Sequence, residues 1–369
     1  VPLITPIEQG RPDQYKQTLV NFLAGDRNYM KPDLAHGVIE MAHGSGGRAM
    51  AELIDQLFLK HFDNRWLQQK QDHATLQTEA GRLAMSTDSH VVSPLFFPGG
   101  DIGSLSIYGT VNDVAMSGAQ PLYLSAGFVL EEGFPLADLS RIVQSMAAAA
   151  REAGVVVVTG DTKVVEKGKA DGVYINTTGI GFIPETLELS PTRICPGDKI
   201  LINGPIGNHG VAILSRRENL AFESDIRSDL QPLNHLVAAM TEAVPGIHFL
   251  RDPTRGGVAA SLNELAHQGG FAMSLEEAAL KIDDSVRAVV ELLGLDPLYI
   301  ANEGKLLAFC APEDADRLLQ VMQAHPQGRN TTVIGEVQVG QAGVVSLNTR
   351  FGGKRLVDWR YSDPLPRIC

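Results

Sequence analysis

The architecture is read from Asp113-Val114-Ala115-Met116-Ser117-Gly118-Ala119-Gln120-Pro121, where an acid precedes a Gly-Ala pair and a proline. It has three counterparts outward along the chain. Asp88 follows the apolar run Leu83 to Met85, and Asp161 follows Val155-Val156-Val157-Val158. Asp252 stands in Arg251-Asp252-Pro253-Thr254-Arg255-Gly256-Gly257. Acids at strand ends beside glycine turns suit a Mg²⁺–phosphate site. Hard oxygens bind the cation, and glycines let backbone N–H groups approach phosphate. Taken singly, each Asp reads equally as an N-cap or turn residue. Neither a GxxxxGK[ST] loop nor a Gly-x-Gly-x-x-Gly loop is present, so the glycines have to be read together with the acids.

Helix-like and strand-like runs alternate around these acids. Met50, Leu53, Ile54, Leu57 and Phe58 fall at helical spacing after the cluster Gly44 to Gly47. A helix-like segment also follows Phe97-Pro98-Gly99-Gly100 and runs through Val114. Strands are expected at Leu83 to Ser86, Leu122 to Leu130, the valine run and Val173 to Ile183, with a helix over Leu136 to Ala153. The valine strand is expected to stop at Thr159-Gly160-Asp161-Thr162. Pro184, Pro191 and Pro196 punctuate a junction near residue 190. The second half restarts with the strand Lys199 to Ile202 and the turn Gly204 to Gly210, which ranks as a strand–helix turn. The tail Asp363-Pro364-Leu365-Pro366-Arg367-Ile368-Cys369 favours an extended arm. The expected divisions are an extension over 1–36, a first domain over 37–190, a second over 191–350 and a tail over 351–369.

Composition narrows the function classes. The 369 residues carry a formal net charge of −12, which argues against a general nucleic-acid or anionic-membrane binder. No apolar run is long enough to span a bilayer and no secretory leader is visible, so a cytoplasmic protein is expected. Cys195, Cys310 and Cys369 are far apart with no CxxC pair, which disfavours structural zinc. Cys195 and Cys310 read as small inert packing residues. Cys369, as the last residue of a proline-punctuated arm, has reach rather than packing.

Asp113-x-x-x-x-Gly118-Ala119-x-Pro121 matches the DxxxxGAxP signature of the aminoimidazole ribonucleotide synthetase superfamily. Within it, the chain from about residue 40 onward resembles the HypE family of hydrogenase maturation proteins. The resemblance rests on His43-Gly44-Ser45-Gly46-Gly47, Ser86-Thr87-Asp88-Ser89, Gly160-Asp161-Thr162-Lys163-Val164-Val165, Asn302-Glu303-Gly304-Lys305-Leu306 and Pro366-Arg367-Ile368-Cys369. It implies an α/β (α+β) PurM-like fold of two domains. The N-terminal domain would give strands to a β-barrel across a homodimer, and the C-terminal α/β domain would close an ATP cleft.

The implied activity is an ATP-dependent carbamoyl dehydratase acting on its own tail. A carbamoyltransferase partner, HypF, would load Cys369. ATP would activate the carbamoyl oxygen, and loss of phosphate would leave a thiocyanate. Cyanide would then pass to a HypC–HypD complex for the nickel–iron centre. On this reading Asp88, Asp113, Asp161 and Asp252 are Mg²⁺ and nucleotide candidates, joined by Gly44, Ser45, Gly46, Gly47 and Thr162 at the nucleotide. Cys369, Lys163, Glu303 and His43 are the catalytic candidates: Lys163 for charge on the transferring group, Glu303 for the nitrogen proton, and His43 for phosphate contact or proton transfer. Two other readings stand beside it. One is a small-molecule kinase or synthetase of the same superfamily, such as a thiamine monophosphate kinase or selenophosphate synthetase relative. The other is a nucleotide-binding scaffold without turnover.

Overall fold

The computed structural model describes residues 32–45, 48–69, 74, 76, 81–218, 226–360 and Ile368. Two sheets organise them. The first has the order β1 (Arg82–His90), β6 (Val173–Ile183), β4 (Gln120–Glu131) and β5 (Val156–Val165). β4 and β5 are parallel and the other neighbours antiparallel. A parallel pair needs a crossover, supplied by α4 (Leu136–Ala153), whose stripe of Leu139, Ile142, Val143 and Met146 is buried. The helix stops at Gly154, at φ 72°. A helical run, α1 (Arg48–Leu53), a π-turn (Ile54–Phe58) and α2 (Leu59–Phe62), covers the β5 end of the same face, with Phe58 against Phe128.

Two of the strands run further than their composition predicts. β1 continues through Thr87-Asp88-Ser89 to His90, and β5 continues through Gly160-Asp161-Thr162 to Val165. Backbone pairing carries them on: Asp88 faces Thr177 on β6, and Asp161 faces Gly127 on β4. Gly160 is needed in mid-strand because a Cβ there would meet the Ala126 carbonyl at 2.4 Å.

α3 (Ile102–Met116) follows a small hairpin of β2 (Phe96–Phe97) and β3 (Gly100–Asp101). Asp101 caps it by accepting the Ser104 N–H. The helix is buried almost all round because β1 and β6 cover one side, while α4 and the second half of the chain cover the rest. Gly118 ends it at φ 77°, and its backbone turns directly into β4. The DxxxxGAxP stretch is therefore the last turn of α3, a left-handed stop and the start of β4.

The second sheet has the order β13 (Lys354–Leu356), β12 (Val345–Asn348), β9 (Ala272–Glu276), β11 (Thr332–Gln338), β7 (Lys199–Ile202), β10 (Leu307–Cys310) and β8 (Phe249–Arg251). Around it lie α5 (Asn208–Arg217), α6 (Asn234–Ala243), α7 (Gly257–Gly269), α8 (Asp284–Leu293) and α9 (Pro312–Ala324). The core strands β7 and β10 are apolar and almost wholly buried.

Asn112 ties the halves together beside Asp113. Its amide donates to the Gln231 and Glu303 carbonyls (both 3.1 Å), and its Oδ1 accepts the Leu233 N–H at 2.7 Å. Asn112→Ala would strand these buried groups. The expected loss is about 2–5 kcal/mol, read as a lower denaturant midpoint with an unchanged slope.

Candidate active site

The Asn112 junction brings acids from both halves to one place. Asp88 lies on β1 and, in register with buried Thr177, points to the α3 side of the sheet. Asp113 sits in the last turn of α3, Asp252 directly follows β8, and Glu303 lies in the loop before β10. Glu303 senses the charges of Asp252, Asp229, Asp88 and Asp113. Ser86 Oγ donates to Asp113 Oδ2 at 2.8 Å, and Asp252 is near enough for its charge to act on Asp113.

Such crowding raises proton affinity. Burial first, then the neighbouring Asp252, pushes Asp113 up to about 7. The negative end of α3's dipole acts in the same direction. Asp252 is raised mainly by burial. Glu303, only 4% exposed, is driven well above the usual carboxylate range by burial and then by the surrounding acids. Its Oε1 has no hydrogen-bond partner among the described residues. Beneath Asp88, His90 hydrogen-bonds Thr177, and burial pushes it down to about 4, so it is neutral at pH 7. Positive charge comes from Arg255, 3.8 Å from Asp88, and from the buried Lys305, which pairs with Asp229 at 2.9 Å. Oxygen donors with raised proton affinity and an orphaned buried oxygen fit a hard divalent cation such as Mg²⁺.

The other nominated residues lie elsewhere in the same chain. Asp161 is three strand positions from Ser89 (Asp161–Gly127–Asn176–Ser89), about 14 Å at ordinary strand spacing. That register puts Asp161 and Lys163 on the face opposite α3, where they form an exposed 3.4 Å pair. Thr162, buried at 6% exposure, faces the other way. Gly44 packs on Val164 of β5, and Ser45 Oγ donates to the Ala42 carbonyl. His43 is buried, and its Nδ1 accepts the Glu40 N–H at 3.0 Å. Gly46, Gly47 and Cys369 lie outside the described residues.

Several residues around Glu303 had no role assigned from the sequence, although Asn302, Gly304 and Lys305 stand in the same segment as Glu303. Asn302, wholly buried, donates to the Pro253 and Ile300 carbonyls and accepts the Gly207 N–H, joining three loops behind Glu303. Gly304 is required because a Cβ would lie 2.0 Å from the Asp229 carbonyl. Asp229, which accepts the Glu303 N–H, carries no local signal. Cys310 is buried as expected, but Cys195 is exposed. Cys195 donates to Asp198, which also bonds His248 at 2.7 Å.

Two domains of this architecture with acids meeting between them define a protein of the AIR synthase related class. Residues 70–183 match the N-terminal domain of "AIR synthase related protein" and residues 195–348 match its C-terminal domain. The chain is 62% identical to "Carbamoyl dehydratase HypE" of Azotobacter vinelandii, over 91% of this chain and 99% of that one. It superposes with a TM-score of 0.86 at 50% identity on the crystal structure of "Hydrogenase Maturation Protein HypE in complex with ATP", covering 89% of this chain and 99% of that one. For the chain in the "HypE-HypF complex" the values are 0.73 and 46%, covering 83% and 99%. The chain belongs to the HypE family.

Proposed function

We propose that this chain is an ATP-dependent carbamoyl dehydratase of hydrogenase maturation, converting an S-carbamoyl group on Cys369 to a thiocyanate. The observation that carries the reading is the meeting of Asp88, Asp113, Asp252 and Glu303 between the two domains, in a chain of the HypE family. The ATP complex of a 50% identical relative supports ATP as the cosubstrate. Asp88, Asp113 and Asp252 would hold Mg²⁺, which would neutralise the phosphates.

The chemistry balances as follows. The carbamoyl oxygen attacks the γ-phosphorus, and ADP leaves. The C–O bond then breaks with release of phosphate, while nitrogen loses both protons and forms the C≡N triple bond. Glu303 is the base for an N–H proton. Its partnerless Oε1 and raised proton affinity suit that task.

HypF is the proposed loading partner, supported by the solved complex of a relative, and HypC–HypD the proposed recipient. A homodimer is proposed through the uncovered face of the first sheet. Among the described residues that sheet is open, with edges β1 and β5. Met85 and Leu83 stand exposed on this face at 71% and 52%. Pairing two such faces would cover Met85 and Leu83 together with Asp161 and Lys163, which share that face.

Intact-mass analysis tests the reaction. After carbamoylation, Cys369 is expected to lose the mass of one water only when ATP and Mg²⁺ are present. Cys369→Ala is expected to accept no carbamoyl group yet to bind nucleotide normally. Water loss without ATP, or a full yield of cyanide from Cys369→Ala, would reject the reading. A scaffold would bind ATP with no mass change.

A further inference from the structure

Three side chains outside the candidate active site hold a donor set that the proposed reaction does not use. Cys195 Sγ, an Asp198 carboxylate oxygen and a His248 ring nitrogen all lie within 4.8 Å of one another. Sγ donates to Asp198 Oδ1 at 3.4 Å, and His248 Nδ1 stands 2.7 Å from Asp198 Oδ2. Metal–ligand distances of about 2.0–2.3 Å set neighbouring donors about 3.3–3.8 Å apart in a tetrahedral site. Shifts of about 1 Å would therefore close the three donors around one ion.

Backbone bonds already fix the frame. The Cys195 N–H donates to Asp198 Oδ2 at 3.0 Å, and the Asp198 N–H donates to the Cys195 carbonyl at 3.1 Å. Between them Gly197 turns at φ 103°, and the turn is pinned to Val337 of β11 by two bonds of 2.8 Å. The His248 N–H donates to the Phe309 carbonyl, and the His248 carbonyl accepts the Ser190 N–H. Arg193 donates to the Ile247 carbonyl at 3.1 Å, so the segment before Cys195 and the segment before β8 are tied together. Access is one-sided. Cys195 is exposed, whereas the side chains of Asp198 and His248 are 1% and 16% exposed.

Thiolate, imidazole and carboxylate suit a borderline divalent ion such as Zn²⁺, whereas the all-oxygen group of Asp88, Asp113, Asp252 and Glu303 suits Mg²⁺. The hydrogens that now join the donors are those an ion displaces. The Cys195 thiol proton leaves to solvent, and His248 offers Nδ1 with its proton on Nε2. Burial and Asp198 raise Cys195 above the ordinary thiol range, so the metal-free sulfur is a weak nucleophile. Asp198 and Glu313 both act on Cys195 electrostatically, a negative surround that draws a cation. We propose that Cys195, Asp198 and His248 bind one Zn²⁺-type ion, with water in the fourth position, and that the ion staples the start of the second domain to the lead into β8. His248 precedes β8 and Asp252 follows it, about 13 Å apart along an extended strand. This is therefore a second site, and it stands whether or not the dehydratase reading holds.

The test titrates the full-length, chelator-treated chain with Co²⁺, whose bond to a thiolate gives an ultraviolet charge-transfer band, and then displaces the Co²⁺ with Zn²⁺. Wild type is expected to take up one thiolate-bound Co²⁺ per chain. Cys369→Ala is expected to keep the band, because the tail thiol is not a ligand. Cys195→Ser, a change at an exposed position, is expected to lose the band and to bind Zn²⁺ at least about 100-fold more weakly. His248→Gln is expected to weaken Zn²⁺ binding by about 10–100-fold, and it carries the comparison should Cys195→Ser fail to fold. Zn²⁺ should also raise the melting temperature of wild type and of Cys369→Ala by more than that of Cys195→Ser, since an ion held only by the folded chain stabilises it by mass action. No thiolate band in wild type, a band that disappears in Cys369→Ala, or a band that persists in folded Cys195→Ser overturns the site. The expected bands without the extra thermal gain overturn the staple.

Discussion

Glu303→Gln is expected to slow carbamoyl dehydration by about 10²–10⁴-fold, the span of a lost general base. The amide has the shape of the carboxylate but cannot take a proton from nitrogen. The change also removes an ionisable carboxyl from a crowded buried group in which Asp252, Asp229, Asp88 and Asp113 all act on Glu303. A variant that loses activity by misfolding would melt lower. This one is expected to melt at or above the wild-type temperature, because an uncompensated buried carboxylate costs more than a buried amide. The pH profile supplies a separate check. Burial and the neighbouring acids raise Glu303 well above its usual range, so the wild-type rate should climb with pH as the base ionises. The residual rate of the variant should lack that limb. A variant within tenfold of wild type, with the limb retained, would remove Glu303 from the role of base.

What the sequence disclosed, and what it hid, divides along local and long-range physics. Helices with a clear apolar stripe, such as Leu136 to Ala153, were legible because their spacing is a local property. The limits of β1 and β5 were not, because the residues Thr87 to Ser89 and Gly160 to Thr162 look like turns by composition. Their strand state depends on partners far off in sequence, Asn176 to Thr178 and Ala126 to Phe128. The site shows the same split. Asp88, Asp113 and Asp252 could be nominated from their places beside apolar runs. Their convergence is a tertiary event, set by the hydrogen bonds of Asn112 across the domains. Asp161 had the same local signature and stands on the opposite face of the sheet, since strand register rather than composition decides which way a side chain points. Asp229 and His248 gave no signal at all. The first gains meaning only beside Glu303, and the second only beside Asp198.

Asp113→Asn is expected to make the metal- and nucleotide-free protein more stable while depriving it of function. Burial and Asp252 raise the folded-state value of Asp113 from 3.8 to about 7. Below 3.8 the folded and unfolded chains both hold the proton, and the group contributes no penalty. Between 3.8 and about 7 the unfolded chain releases it while the folded protein keeps it, so stability falls as pH rises through that window. Above about 7 the penalty is fully present, carried as an ionised carboxylate beside Asp252. In EDTA at pH 8, Asp113→Asn should therefore melt above the wild type, by about 1–2 °C for each kcal/mol of relief. Its melting temperature should also depend less on pH across the window. The flattening is partial because Asp252 is raised as well. Adding Mg²⁺ and ATP should reverse the order. The wild type gains stability by mass action, whereas the variant has lost a charged oxygen ligand and gains little, with turnover down by about 10²–10³-fold. The crossing of the two proteins' stabilities is what ties the raised proton affinity to a cation site, since a carboxylate with a purely structural role would lower stability in both conditions when replaced. A variant that melts below the wild type in EDTA at pH 8 would show that Asp113 is held for the fold rather than strained for its ligand.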